Sequence, residues 1–505
     1  MKHKKFFVAC GFVVALTLFT GLAYTMADFY AMPFRGIKDL CIIIAQFLTV
    51  EVAVFLLMWL LCSNKYVFAV AMPLFVLACS VATYFRYTAH VSITAATFDL
   101  ALTNDLRTSM DVITWPLILF ILLSEVVAAV CIYVRFKYVD FRRSWLQLIV
   151  SALGLYSFVS IPGIGLPVTN RLPLVIFSSY IEYCDNHNIV EQNRPAFKGK
   201  AVCKDDSIDV VFILGETLRA KNMQVNGYAR PTTPYLMKDS NVVSLPHIYS
   251  EYGFTHVSVP YLLTRACPNN KQAAYKERSF IDLFKKAGYY TSWIANQESV
   301  ETFIYFMNET DSLIYANNGK SPYVYEQWVD GDVLPILDRQ LADKHLAARR
   351  LTIIHTIGSH WWYNSHYPQR YARWKPELKS RVLSANSKEE FYNSYDNTVL
   401  YSDYFWHEVR KRYLHRNAII IYLSDHAENL GEDGIFGHGQ EGKALHYPGC
   451  WVWMSDIYRM KHPDKWRALE KNHMKPYNSA FLFHTILDAG TISTPYIDTK
   501  YDLFK

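Results

Sequence analysis

The sequence predicts two bodies of different class: an α-helical membrane domain of five spans over residues 1–166, and an α/β domain over 206–505. Apolar stretches at roughly 6–26, 38–62, 66–86, 113–135 and 145–166 each come close to or exceed the ~20 residues that cross a bilayer core. After residue 208, apolar runs of strand length alternate with amphipathic stretches of helical spacing. Acid and His side chains stand directly behind two of those runs, in the crevice beyond the carboxyl ends of parallel strands where α/β folds bind ligands.

The first apolar stretch is longer than a secretory signal core, and further spans follow it, so it is expected to stay as an uncleaved anchor. Lys2, Lys4 and Lys5 precede it, Lys65 stands between the second and third stretches, and Arg135, Lys137, Arg142 and Arg143 fill the connection between the fourth and fifth. Lys and Arg near span ends mark the cytoplasmic side, so an odd number of spans delivers the chain beyond about residue 167 to the opposite side. Residues 167–205 pass from apolar to polar and are expected as a bridging helix and linker along the membrane surface. Beyond them, 209–214, 290–295, 351–355 and 418–424 are expected as buried parallel strands, and 279–287 and 390–413 as helices, giving a sheet covered on both faces.

Composition fits a split chain. Hydrophobic residues make up 51% and aromatic residues 15%, part of which a Tyr and Trp belt at the membrane interface explains. The net charge of +6 is small and spread along the chain, so it gives no argument for nucleic acid as a partner, and a monomer is expected. Cys10, Cys41, Cys62, Cys79 and Cys131 lie in or at the ends of spans. Cys184, Cys203, Cys267 and Cys450 lie in the exported part, where an even number permits disulfides, with Cys184 to Cys203 the easiest closure.

Four separated segments carry metal-ligand chemistry: residues 210–217 ending in Gly-Glu-Thr, 254–260 (Phe-Thr-His-Val-Ser-Val-Pro), 355–360 ending in Gly-Ser-His, and 424–432 (Ser-Asp-His-Ala-Glu-Asn-Leu-Gly-Glu) with Gly-His-Gly after it. Carboxylate and imidazole together suit Zn²⁺ better than Mg²⁺ or Ca²⁺, which prefer all-oxygen shells, so a zinc hydrolase or transferase is the first expectation. Each residue also has a plainer reading. Asp425 is a candidate helix N-cap, His360 a hydrogen-bonded His of core or surface, Thr217 a helix cap, and Thr255 with His256 an ordinary loop.

On these motifs the exported half resembles the alkaline-phosphatase/sulfatase superfamily. The whole architecture resembles the membrane-anchored, lipopolysaccharide-modifying phosphoethanolamine transferases of Gram-negative bacteria. Their order and spacing, behind the spans, outweigh the plainer readings. The resemblance implies a sulfatase-like periplasmic catalytic domain and a multi-pass protein of the bacterial inner membrane. It implies one tightly bound zinc held by Glu216, Asp425 and His426 with Thr255 as fourth ligand and nucleophile, and His360 and His438 at a second, weaker metal or substrate site. A Thr hydroxyl is a poor nucleophile at neutral pH until a metal lowers its pKa. Thr255 then attacks the donor phosphatidylethanolamine, expels diacylglycerol and holds phosphoethanolamine as a phosphothreonine. A lipopolysaccharide acceptor, core heptose or lipid A, takes it off. His360 and His438 stabilise charged oxygens or deliver a proton, and Asn104 and Thr108 contact substrate.

Departures from the family pattern bear on the acceptor. Glu251 and Tyr261 stand where lipid-A-modifying members carry cysteines around the nucleophile loop. The Ala-Asn-Gln-Glu-Ser of 295–299 lacks the Lys of those members and, with 262–266, is closer to the branch acting on core heptose. Asn104 and Thr108 match membrane-proximal family positions, but the third place is Val112. Glu428 and Glu432 follow the Asp-His pair and are expected to orient ligands from behind, an exposed carboxylate being the plainer reading of Glu432. The alternatives are a phosphoglycerol transferase or phosphodiesterase of the same superfamily, or transfer to periplasmic glucan.

Overall fold

The computed structural model describes residues 2–505 apart from 31, 33, 89–92, 95–96, 99–112, 142–143, 191–193, 298–302, 318–319, 321–325, 344–345, 381–384, 433 and 439–441. It divides into two compact units, Met1–Asp185 with Gly319–Glu326, and Asn186–Asn318 with Gln327–Lys505.

The first unit is built of α1 (Lys2–Ala23), α2 (Ile37–Cys62), α3 (Lys65–Thr88), α4 (Trp115–Lys137), α5 (Ser144–Val159) and most of α6 (Leu174–Val190), which runs on past the unit's end at Asp185. Among the described residues four of its helices are long and apolar enough to cross a membrane. The fifth expected span is shorter than its apolar pattern. It is helical over the 16 residues of α5 and resumes after a turn as a short helix over Gly165–Thr169. Pro162 lacks the N–H a continuing helix needs, and Gly163 follows in left-handed backbone at φ 82°. Buried Asp28 ties the unit together, accepting from Arg86 Nε at 3.0 Å and from the Leu172 amide at 2.7 Å.

The second unit is a seven-stranded sheet. Its strands are β1 (Ile208–Gly215), β2 (Val242–Ser244), β3 (Tyr290–Ala295), β4 (Ser312–Tyr315), β5 (Arg349–His355), β6 (Ala418–Ser424) and β7 (Cys450–Met454), in the order β2-β7-β6-β1-β5-β3-β4. The run from β6 to β4 is parallel, and β7 pairs antiparallel with both β6 and β2. The four strands expected from sequence are thus four neighbours at the centre. β1 is buried on both faces, as a continuous apolar run requires. Val210, Phe212 and Leu214 enter one core with α8 (Phe280–Lys286) and α10 (Phe481–Ala489). Val211 and Ile213 enter the opposite core with Tyr395, Val399 and Trp406 of α9 (Lys388–Tyr413). Ser387 and Glu390 form a reciprocal capping box that starts α9.

All nine cysteines are free, which corrects the Cys184 to Cys203 closure. Cys203 is instead packed inside, its Sγ 3.4 Å from the Tyr289 hydroxyl and 3.3 Å from Thr491 Oγ1.

Candidate active site

Strand register builds the centre. Gly215 and Ser424 are paired across β1 and β6, so Glu216 and Asp425, the next residue of each, leave the sheet side by side. The Asp425 amide donates to Gly215 O at 3.1 Å and the Leu218 amide to Ser424 Oγ at 2.9 Å, stitching the two exits together. Residues 425–429 have no regular structure, so Asp425 caps no helix. Thr217 is no helix cap either. It sits buried at φ 52°, rare for a β-branched residue, and its Oγ1 has no partner among the described residues. That backbone turns its amide onto Asp425 Oδ1 at 3.3 Å and its carbonyl onto the Tyr395 hydroxyl at 2.7 Å.

Thr255 opens α7 (Thr255–Leu263). Its Oγ1 lies 3.3 and 3.2 Å from the two carboxylate oxygens of Glu216 and 3.2 Å from His426 Nε2. His426 Nε2 is 3.6 Å from Glu216 Oε1 and 3.5 Å from Asp425 Oδ2. One turn into α7, Ser258 donates to the Asp425 carbonyl at 2.6 Å, and Ser250 does the same at 2.9 Å, which pins the helix start to the strand exit. His426 Nδ1 lies 2.7 Å from Ala427 O. A carbonyl only accepts, so Nδ1 carries the proton and Nε2 turns its lone pair to the cluster.

The four groups fit a small tetrahedral cation. Glu216, Asp425 and His426 are buried with ligand atoms within 4.8 Å of one another. Burial, and then the charge of Asp425, push Glu216 well above the usual carboxylate range. Asp425 Oδ2 is buried with no hydrogen-bond partner among the described residues. Crowded carboxylates and an orphaned oxygen are costly unless a cation takes them up. Bonds of 2.0–2.1 Å in a tetrahedron put ligand atoms about 3.3–3.4 Å apart; Thr255 lies 3.2 Å from His426 and from Glu216, and His426 lies 3.5 and 3.6 Å from the carboxylates of Asp425 and Glu216. No second group of three such ligands gathers among the described residues.

A row of imidazoles continues from this cluster. The His438 ring lies 5.1 Å from that of His426 and 5.6 Å from that of His360, and His366 is 6.3 Å beyond His360. His360 Nδ1 is 2.6 Å from Trp361 O, so its Nε2 is the accepting nitrogen. Burial, then His438 and His366, hold His360 well below the usual imidazole value. Burial opposes charge on His438 as well, but Glu428, 3.3 Å from its Nδ1, outweighs that and raises it. Glu428 also accepts from the Tyr363 hydroxyl at 3.0 Å, so it orients His438 from behind. Glu432 does not: it pairs with Arg219 at 2.5 Å, which holds it at about 2 against the effect of burial. Asn104 and Thr108 lie outside the described residues.

A model of the sulfatase family matches residues 208–492, more than half of the chain. The chain belongs to the sulfatase family. A second family model, phosphoethanolamine transferase EptA/EptB, matches residues 51–177, which places this sulfatase-family chain among the membrane-anchored phosphoethanolamine transferases. It is 29% identical over 494 residues to a Kdo(2)-lipid A phosphoethanolamine 7''-transferase of Salmonella typhimurium, covering 88% of this chain and 86% of that one. The C-terminal periplasmic domain of EcEptC from Escherichia coli in complex with Zn has the same fold, at TM-score 0.56, 24% identity, 62% of this chain and 90% of that one. So does the integral membrane protein lipooligosaccharide phosphoethanolamine transferase A of Neisseria meningitidis, at TM-score 0.55, 21% identity and 98% of both chains.

Two supports of this transferase's centre escaped the sequence reading. Gln297, behind β3, donates through Nε2 to Glu216 Oε2 and to Thr356 O, both at 3.2 Å. Buried Asp330 accepts from the Ile357 and Gly358 amides at 2.8 and 3.1 Å and from Asn296 at 2.8 Å. It thereby fixes the loop on which Gly358, at φ 52°, presses against the Glu216 backbone and the Ser359 amide donates to Glu216 O at 3.0 Å. The glycine of Gly-Ser-His was the available signal for this contact.

Proposed function

We propose that this chain moves phosphoethanolamine from phosphatidylethanolamine to a lipopolysaccharide acceptor, with Thr255 as the nucleophile and a phosphothreonine between the two half-reactions. The observation that carries the proposal is the position of Thr255 Oγ1, within 3.3 Å of Glu216 and His426 at the first turn of a nine-residue helix. The amides of that turn and the helix dipole favour a phosphate there. Glu216, Asp425 and His426 are the residues to hold zinc, which when bound supplies the Lewis acidity that makes a Thr hydroxyl a nucleophile.

In the first half-reaction Thr255 Oγ1, its proton released to water, forms a bond to phosphorus and the bond from phosphorus to the diacylglycerol oxygen breaks. That oxygen leaves as an alcohol after taking a proton. His438 is placed to give it, since Glu428 holds its ring beside His426. His360 presents Nε2 to the same space and steadies the charged phosphoryl oxygens or passes the proton. In the second half-reaction an acceptor hydroxyl attacks phosphorus, gives up its proton to the same imidazoles, and frees Thr255. The named acceptor of the Salmonella relative, Kdo(2)-lipid A, favours a saccharide of the lipopolysaccharide. The chain is then a multi-pass protein of the bacterial inner membrane with this unit in the periplasm.

Incubation with phosphatidylethanolamine, followed by peptide mass analysis, tests the proposal. A phosphoethanolamine adduct is expected on the peptide holding Thr255, with diacylglycerol released. Thr255→Ala abolishes both and Thr255→Ser retains part. An adduct on Thr217, or transfer by Thr255→Ala at the wild-type rate, rules the assignment out.

A further inference from the structure

We infer that a cleft beside the metal-ligand cluster seats a phosphate carried by the sugar acceptor, an assignment that rests on the transfer reaction proposed above. The cleft has a volume of about 560 Å³ and is lined among others by Arg219, Lys221, His247, Glu432, Lys443 and Tyr447. That is the size of a small-molecule site, enough for one part of a glycan and too small for the whole.

Arg219 is the central observation. It is 3% exposed. Its Nη2 is taken by Glu432, while its Nη1 is buried without a hydrogen-bond partner among the described residues. A buried guanidinium with one arm satisfied and one arm orphaned is unfavourable on its own, and its fork is shaped for a carboxylate or phosphate. Lys221 and Lys443 are exposed on the same cleft and have no acidic partner among the described residues. Among the described lining residues three cations thus face one carboxylate. Tyr447, half-exposed, adds an aromatic ring with an apolar face and a polar tip, suited to a sugar. Gly442 forms part of the wall, where any Cβ would run into the Asn429 side chain.

Two short stretches of chain join the cleft wall to the metal-ligand residues. Arg219 is three residues past Glu216, and Asn429, also in the wall, is three past His426. Three residues of chain span at most about 11 Å. The assignment places a hydroxyl of the same or a neighbouring sugar at Thr255, whose Oγ1 touches Glu216. Register of the acceptor is set by a charge already on it, and a neutral glycan is a poor acceptor.

Calorimetric titration of the zinc-loaded full chain with glucose 6-phosphate, glucose and inorganic phosphate tests this. Glucose 6-phosphate is expected to bind, glucose not detectably, and added salt to weaken the binding. The double variant Lys221→Ala/Lys443→Ala changes only exposed side chains and is expected to weaken glucose 6-phosphate at least tenfold. In turnover the same variant raises KM for the acceptor more than it lowers kcat. Equal binding of glucose and glucose 6-phosphate overturns the assignment. So does binding that survives in the double variant, which would then belong to the metal centre. Inorganic phosphate binding as tightly as glucose 6-phosphate shows a free-anion site and overturns the sugar part. The titration needs no turnover, so its failure leaves the Thr255 adduct standing, and loss of the adduct leaves the titration standing.

Discussion

Glu216→Gln should change stability in opposite directions with and without metal. In the metal-free protein the Glu216 and Asp425 carboxylates are buried within 4.8 Å of each other. At that distance and an effective dielectric constant of 20, two full charges repel by about 3.5 kcal/mol. The wild type escapes part of this by keeping Glu216 protonated, since burial and Asp425 raise it. The relief given by Gln is then about 1–3 kcal/mol at pH 7.5, or a melting temperature higher by about 2–6 °C in chelator. The sign against pH follows from linkage. An acid raised in the folded state contributes stability that is complete below its unfolded value and is lost as pH rises toward the folded one. The advantage of Gln therefore grows with pH above the ordinary carboxylate range and vanishes below it. With zinc at a thousandfold excess over its Kd the wild type gains about 4 kcal/mol, about 8 °C, and the variant gains little. Thermal melts of both proteins in chelator and in zinc, at acid and neutral pH, read all four states. Destabilisation of Glu216→Gln in chelator, or an undiminished zinc shift in the variant, would refute the charge-crowding argument.

Further outcomes follow from other contacts. Gly358→Ala puts a Cβ 2.7 Å from Glu216 O at φ 52°; a loss of at least about 2 kcal/mol is expected in chemical denaturation, with weaker zinc retention on dialysis. Tyr363→Phe removes the donor to buried Glu428 and should lose about 1–3 kcal/mol in the same assay. Thr217→Ala, at a position that caps nothing, should leave the phosphoethanolamine adduct on Thr255 unchanged by mass analysis. A reporter active only outside the cytoplasm should be active when fused after residue 170 and silent at residue 140, and the reverse would invert the proposed orientation.

What the sequence discloses and what it hides divide along physical lines. The central strands are continuous apolar runs with chemistry-bearing residues at their ends. They lie at 208–215, 290–295, 349–355 and 418–424, against expectations of 209–214, 290–295, 351–355 and 418–424. Glu216, Asp425, His426 and Thr255 converge because each stands next to a strand or helix end, a position a pattern marks. Supports that act across the fold carry no such mark. Gln297 reaches Glu216 over 81 residues and Tyr363 reaches Glu428 over 65, and neither amide nor phenol has a periodic signature. Thr217 misled because a Thr behind a strand suggests the cap of a following helix, whereas the chain here turns through left-handed backbone into an irregular segment. The apolar pattern of the fifth span runs on past Val159, but polypeptide geometry stops the helix at Pro162 and Gly163.

The pairing of Gly215 with Ser424 has a consequence for how chains of this kind can vary in length. Each strand advances about 3.3 Å per residue, so one residue inserted into β1 or β6 displaces one ligand against the other by nearly the full spacing between them. It also turns the inserted strand's side chains to the opposite face. Neither error can be absorbed locally, because both strands are hydrogen-bonded on either side within the sheet. Insertions and deletions in related chains should therefore avoid these two strands altogether and collect in the connections. The separation between Glu216 and Asp425 along the chain is free to drift while their separation in space is held by the ladder.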